Sequence, residues 1–172
     1  MSSLQTVYQL RKFEYPEDFD EDCRYACDFF NSLGLTTKFS CSGHGVDDFY
    51  IMFDNTVTDN MIELFQIYAF NKCPMGRFVK WKRLVYPEGT KSLTGAVLWE
   101  NWMYCVNFGF KNLDVRIQRD IRNITTMVTK EVLLEKVDEY FNMALQRNLD
   151  YVAKDILDFK QSMEEHGFTF IT

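Results

Sequence analysis

Three cysteines and one histidine fall within twenty-two residues near the N-terminus, and they constrain the fold more than any other feature of the chain. Cys23 and Cys27 are four residues apart in a predicted helix. Cys41 and His44 are three residues apart in the glycine-containing loop that follows. Thiolates and imidazoles are preferred zinc ligands, and four of them fill a tetrahedral shell. The spacing therefore predicts a closed, structural zinc site that holds the helix to the loop.

The path of the chain allows the four side chains to meet. Positions four apart share one face of a helix, so Cys23 and Cys27 point the same way. Gly34 is a favourable C-cap, and residues 35–40 then have the pattern of a strand. If that strand returns along the helix, Cys41 ends beside the helical cysteines. The glycines of the loop then allow His44 to turn toward the same point.

An alternative interpretation needs no metal. Cys23 and Cys27 fall on the apolar face of the predicted helix, where a free cysteine packs as a small hydrophobic residue. Cys41 and His44 then belong to an ordinary turn with a surface histidine. The two remaining cysteines have no partner nearby in the sequence, and we expect ordinary core or surface thiols at Cys73 and Cys105.

The spacing of apolar residues predicts a sheet and several helices. The predicted strands are 4–13 (or an extended arm), the hairpin 35–40 and 49–53, then 78–86 and 97–108, the last as one bent strand or two short ones. The predicted helices are 16–33, 61–69 after a cap at Thr56 or Thr58, 113–128, 129–146 and 149–165. This order predicts a single α+β domain over residues 1–172, with a mostly antiparallel sheet packed with helices and a C-terminal helical segment. Alternatively, residues 111–172 form a helical subdomain.

Composition narrows the class of protein. Hydrophobic residues make up 47% and aromatic residues 16% of the chain, which is typical of a folded core. No apolar run approaches the ~20 residues of a membrane span, and the N-terminus has no signal-peptide pattern. We therefore expect a cytoplasmic protein without membrane contact. Its five cysteines are then free thiols or metal ligands rather than disulfides.

Acidic residues crowd the segment around the predicted first helix, in a chain whose net charge is −6. This balance disfavours direct, broad nucleic-acid binding and favours a basic partner. Glu17, Asp18 and Glu21 are the candidate contacts, because a run of carboxylates can imitate DNA phosphates in the basic groove of a large nucleic-acid-binding protein. The alternative is a solvated helix face that adds solubility and nothing more.

Basic and aromatic residues are mixed in the stretch 77–91. One interpretation is a nucleic-acid contact in which Trp81 and Tyr86 stack on bases. The other is an amphipathic strand that directs Lys80 and Lys82 toward solvent, with Arg83 as a further candidate for that side. Trp102 belongs to a second aromatic cluster, and it is either a core residue or, like Trp81, an anchor at a protein interface.

No complete catalytic motif occurs in the sequence: it has no P-loop, Rossmann glycine pattern, H-E-x-x-H or nucleophile elbow. The loop Ser40-Cys41-Ser42-Gly43-His44, followed by a strand at 50–53, resembles a small family of phage and prophage proteins with a Ser-Cys-Ser-Gly-His loop. It is also similar to the Ser-Cys-Ser-Gly-Arg stretch of the methyltransferases of wybutosine biosynthesis on transfer RNA. Here His44 replaces the arginine of that family, which favours metal binding.

The small, acidic, aromatic-rich profile also resembles, by type alone, the phage-encoded anti-CRISPR proteins that inhibit Cas9. The leading hypothesis is therefore a non-enzymatic phage-type inhibitor, stabilised by a structural zinc, that binds a nucleic-acid-handling host enzyme such as Cas9. It would hinder the loading of guide or target DNA. The competing hypothesis is an RNA-modifying methyltransferase that resembles the wybutosine family, and a third is a phage adaptor without metal.

Overall fold

The computed structural model describes residues 5–86, 95–106 and 130–172. The strands are β1 (Thr6–Gln9), β2 (Thr37–Cys41), β3 (Phe49–Phe53), β4 (Arg77–Val85), β5 (Val97–Val106) and β6 (Phe168–Ile171). The α-helices are α1 (Arg24–Ser32), α2 (Asp59–Ala69) and α3 (Lys130–Glu165), and 3-10 turns form at Glu21–Cys23 and Gly43–Gly45. The predicted helix at 113–128 lies outside the described residues.

Four of these strands form an antiparallel sheet in the order β2-β3-β5-β4. The predicted hairpin is confirmed, with Cys41 opposite Tyr50, and β5 is the single long strand that the sequence allowed. At the start of α2 the Thr58 hydroxyl accepts a hydrogen bond from the Met61 amide, which confirms the predicted cap. The α+β class is therefore confirmed.

The first helix begins later than the sequence predicts. A helix start at Pro16 is wrong, because the chain makes a tight turn there in which Phe19 donates to the Pro16 carbonyl, and α1 begins at Arg24. Asp20 caps the intervening 3-10 turn and also hydrogen-bonds Ser42, twenty-two residues away. A long-range contact that sequence patterns do not reveal has therefore replaced the first helical turns.

The two predicted C-terminal helices are one helix. α3 runs without a break for 36 residues, about 54 Å at ~1.5 Å per residue, and passes through Asn148, which is fully buried. Packing of Ala144 and Val152, on either side of Asn148, into the core overrides the local preference of this weak helix former for ending a helix. Gly167, at φ +93°, then reverses the chain into β6, which pairs in parallel with β1 and was not predicted. Within the described residues, no helix has both the length and the apolar character of a bilayer span.

One face of the four-stranded sheet packs against the three helices of the described residues. Its centre is a cluster of buried aromatic rings from helix and sheet: Phe30, Phe53, Phe65, Phe78, Tyr104 and Phe159. Asp155 of α3 is fully buried beside this cluster and accepts hydrogen bonds of 2.7 Å from the Met75 and Gly76 amides and the Tyr104 hydroxyl. This network holds α3 against the sheet and so positions the helix for its contact with the loop after β2.

Candidate metal site and the open face of the sheet

Three potential metal ligands meet where the loop after β2 touches the segment before α1. Asp20 ends the turn that precedes the 3-10 turn Glu21–Cys23, Cys41 is the last residue of β2, and His44 lies in the turn Gly43–Gly45. One ligand atom from each residue lies within 4.8 Å of the other two. The Asp20 side chain is 15% exposed and that of His44 69%, so the group opens to solvent on the histidine side.

Hydrogen bonds fix the carboxylate of this group. Asp20 Oδ2 accepts from the Ser42 amide at 2.9 Å and from the Ser42 hydroxyl at 2.7 Å, and Oδ1 accepts from the Asp22 amide. Burial raises the pKa of Asp20, but these hydrogen bonds outweigh it and hold the pKa below its usual range. The group therefore contains a pre-ionised oxygen ligand at neutral pH.

The backbone of the loop, residues 41–45, is folded in a way that suits glycine. Gly43, His44 and Gly45 all have positive φ, and at His44 the value is +52°, which is uncommon for a residue with a side chain. A Cβ at Gly45 would overlap the carbonyl oxygen of Phe141 in α3, so the loop and the helix are in backbone contact. His44 is thus held in a left-handed conformation on the same side as Cys41, and strain of this kind is often found at functional sites.

The other two predicted zinc ligands lie deeper. Cys23 and Cys27 are fully buried in the core and do not belong to the group of ligand atoms within 4.8 Å. Burial raises the pKa of the Cys27 thiol to about 11 and that of Cys23 further, and the nearby charge of Asp20 adds to the effect on Cys23. The structure therefore brings together Cys41 and His44 of the predicted set and adds Asp20. The closed set of four stays a prediction.

Sequence reasoning missed Asp20 as a ligand because it is one of several carboxylates in the same stretch. What distinguishes it is the contact with Ser42, a residue inside the Ser-Cys-Ser-Gly-His loop. Asp20 caps the 3-10 turn Glu21–Cys23 in the structure, but the sequence placed it inside a helix predicted from residue 16. Its capping position was therefore not visible, and a cap would in any case give no reason to expect a ligand.

The sheet face opposite the helices, here called the open face, carries a second feature. It contains a cavity of about 370 Å³ that all four strands line through Phe39, Tyr50, Met52, Trp81, Arg83, Trp99 and Met103. Cys41 pairs with Tyr50, so the metal-ligand group lies at one edge of this face. Ligand sites of this volume accommodate small organic groups.

The predicted partner contacts do not share one surface. Glu17 and Asp18 are exposed, whereas Glu21 is exposed but forms an ion pair with Arg24 at 2.7 Å. Trp81 lies on the open face and is 36% exposed. Trp102 packs on the helix-covered side and donates its indole N–H to Asp59 at 2.7 Å.

Alternation along β4 divides the basic stretch between the two faces. Lys80 and Lys82 point to the same side as Trp102 and pair with Glu100. Trp81 and Arg83 point to the open face. Within β4, paired lysines therefore lie on one side, and Trp81 and Arg83 form an aromatic and cationic surface on the other. Residues 87–91 of the basic stretch lie outside the described residues.

Comparison of the chain with protein-family models, with curated proteins and with solved structures finds no significant match.

Proposed function

We propose that this protein is a non-enzymatic binding protein in which a zinc ion at Asp20, Cys41 and His44 fixes an acidic surface for a basic protein partner. The observation that carries the proposal is the convergence of a carboxylate, a thiol and an imidazole from two separate segments. Asp20 lies in the middle of the acidic segment, residues 14–22, so a metal bound there ties that segment to the loop.

The donor set favours zinc over the alkaline-earth ions. A thiolate and an imidazole are soft to borderline ligands, whereas Mg²⁺ and Ca²⁺ prefer oxygen alone. Three protein ligands leave one tetrahedral position. Cys23 is the candidate for it, because it ends the 3-10 turn that Asp20 caps and a zinc ion would displace the proton of its thiol. With Cys23 bound the site is closed and structural.

The acidic segment is suited to contact a basic partner. Glu17, Asp18 and Asp22 are exposed on either side of Asp20. Holding them in one arrangement lowers the entropy lost on binding, and their charge increases the rate of encounter with a basic surface. The partner that we propose is a nucleic-acid-handling enzyme, and the sequence profile makes Cas9 the first candidate. Binding there would hinder the loading of guide or target DNA.

The metal is tested by its stoichiometry in untagged protein, measured by plasma mass spectrometry. We expect about one zinc per chain in the wild type and loss of zinc in Cys41→Ser. Cys73→Ser is the matched control, because Cys73 is an exposed free thiol outside the group. Equal zinc in both variants, or none in the wild type, would contradict the proposal.

The partner is tested by titrating the zinc-loaded protein against the Cas9–guide complex. Reversing Glu17 and Asp18 to lysine should weaken binding, most strongly at low salt, because exposed charges act through a screened field. The control reverses Glu135 and Asp138, which are exposed on α3 and give the same change in net charge. Equal losses in the two double variants would exclude the acidic segment as the interface, and no binding by the wild type would exclude Cas9.

A further inference from the structure

We infer that the cavity on the open face binds unpaired bases of a single-stranded nucleic acid. The inference goes beyond the proposed function, since it concerns a different surface and needs no metal. The cavity is lined by four aromatic side chains, and two cations, Lys38 and Arg83, lie over their rings. Aromatic rings interleaved with cations are the combination that single strands require. A base that stacks on one of these rings takes the place of the cation over it, and the displaced cation meets a phosphate.

The rings and cations are close enough to act together. The Trp81 and Trp99 rings meet edge to face with centroids 5.5 Å apart. The Arg83 guanidinium lies 5.4 Å from the first centroid and 5.3 Å from the second. Lys38 Nζ lies 5.4 Å from the Trp99 centroid and 5.5 Å from that of Phe39. The aromatic surface therefore extends from β2 to β4 with a positive charge beside each end.

Charge identifies the occupant as an anion. The protein carries a net charge of −6, yet none of the strand residues that share the open face is acidic. Among the described residues, neither Lys38 nor Arg83 has a carboxylate within 4.0 Å, whereas Lys80 and Lys82 on the other face both do. Two cations without a carboxylate partner among the described residues, on an aromatic surface, favour an aromatic polyanion over an apolar peptide.

The width of the open face agrees with a short stretch of single-stranded nucleic acid. Four neighbouring strands at ~4.8 Å give a width of about 14 Å between β2 and β4. A single strand that crosses this width can lay its bases on the rings one after another, because its bases need not stack on each other. A duplex does not fit this mode of binding, since its bases are stacked on each other and cannot lie on the tryptophans. Binding should therefore be selective for single strands.

The test is fluorescence anisotropy of labelled twelve-nucleotide oligothymidine and oligouridine, with the same length of duplex DNA as a comparison. Arg83→Ala and Lys82→Ala form a matched pair, because the two residues are adjacent and exposed on β4, carry the same charge and point to opposite faces. We expect Arg83→Ala to weaken single-strand binding about tenfold and Lys82→Ala less than about twofold. Arg83→Ala should also reduce the slope of log K against log salt by about 0.7, the value of one lost phosphate contact.

A second readout uses the wild-type protein and so does not depend on any substitution. Stacking of bases on Trp81 and Trp99 should quench tryptophan fluorescence in the wild type in proportion to the bound fraction. Saturable, single-strand-selective binding with quenching supports the inference. Absence of binding to both oligonucleotides, equal affinity for duplex, or equal weakening by Arg83→Ala and Lys82→Ala would overturn it. The zinc proposal would stand in each of those cases, because it rests on other residues.

Discussion

Asp20 and Asp155 each accept three hydrogen bonds through their carboxylates, but Asp155 lies in the core and Asp20 lies near the surface. Asp155 is sealed in the core and is satisfied by two amides and a phenol. Asp20 is satisfied by Ser42 and Asp22, yet it remains partly exposed, with Cys41 and His44 beside it. Amide and hydroxyl donors thus make Asp155 a structural contact of the core, whereas they hold Asp20 as an ionised candidate ligand near the surface. What differs is access to solvent and the presence of neighbouring soft ligands.

The largest expected effect follows from removing the buried carboxylate. Asp155→Ala leaves the Met75 and Gly76 amides and the Tyr104 hydroxyl without their acceptor, so we expect a loss of about 3–5 kcal/mol in the free energy of unfolding. Urea unfolding measures it. Asp150→Ala is the control, because Asp150 is exposed and accepts one hydrogen bond from Gln146. A difference of less than about 1 kcal/mol between the variants would remove Asp155 as the anchor of α3.

The next largest loss of stability is expected from disrupting the contact between the loop, residues 41–45, and α3. Gly45 and Gly34 have nearly the same φ, +80° and +81°, but an added Cβ meets the Phe141 backbone at Gly45 and nothing within 4 Å at Gly34. We expect Gly34→Ala to cost about 1 kcal/mol from conformation alone and Gly45→Ala about 3 kcal/mol, with weaker zinc binding. Thermal unfolding and zinc titration report the two effects. Equal stability of the two variants would mean that the loop does not depend on α3.

A smaller loss in the free energy of unfolding is expected when Asp20 is replaced in metal-free protein. Asp20→Asn keeps one acceptor oxygen but loses the charge, so we expect about 1 kcal/mol in protein stripped of metal. In contrast to Asp155→Ala, its main effect should be on zinc affinity. Calorimetric zinc titration beside urea unfolding separates the two. A large loss of stability with unchanged zinc affinity would make Asp20 a structural residue like Asp155.

The smallest expected effect is the contribution of Asp20 to the pH dependence of stability. Because the folded-state pKa of Asp20 is depressed, its stabilising contribution is present above the unfolded pKa, about 4, and is lost as pH falls through the lower folded pKa. Stability of the metal-free wild type should therefore decline more steeply below about pH 4 than that of Asp20→Asn. Parallel acid-unfolding curves would show that the hydrogen bonds from Ser42 do not select the ionised form.

Local patterns predicted the parts of the fold that depend on neighbouring residues. The β2–β3 hairpin, the Thr58 cap and the strand β5 follow from alternation and capping within a few positions. The start of α1, the continuity of α3 through Asn148 and the parallel pairing of β1 with β6 depend on contacts between distant segments. Tertiary contacts of this kind override local preference and leave little mark in the sequence.

The candidate site divides in the same way. Cys41 and His44 were recognisable because they lie three residues apart in one loop, whereas Asp20 reaches them only through folding. Cys23 and Cys27 satisfied both a ligand pattern and an apolar helix face, and the structure places them in the core. Strand alternation separates Trp81 from Lys80 and Lys82, but the sequence left the side of Arg83 open. The cavity brings Arg83 together with Trp81 and needs residues from all four strands, which alternation within one strand does not reveal.

The central claim is that Asp20, Cys41 and His44 bind zinc, and the most direct test is thermal unfolding of metal-stripped protein with and without added zinc. At a free zinc concentration about 100 times the Kd, binding should add about 2.7 kcal/mol and raise the Tm of the wild type by roughly 5–10 °C. The Cys73→Ser control should shift as the wild type does, and Cys41→Ser should not shift. An unchanged wild-type Tm, or the same increase in Cys41→Ser, would contradict the claim.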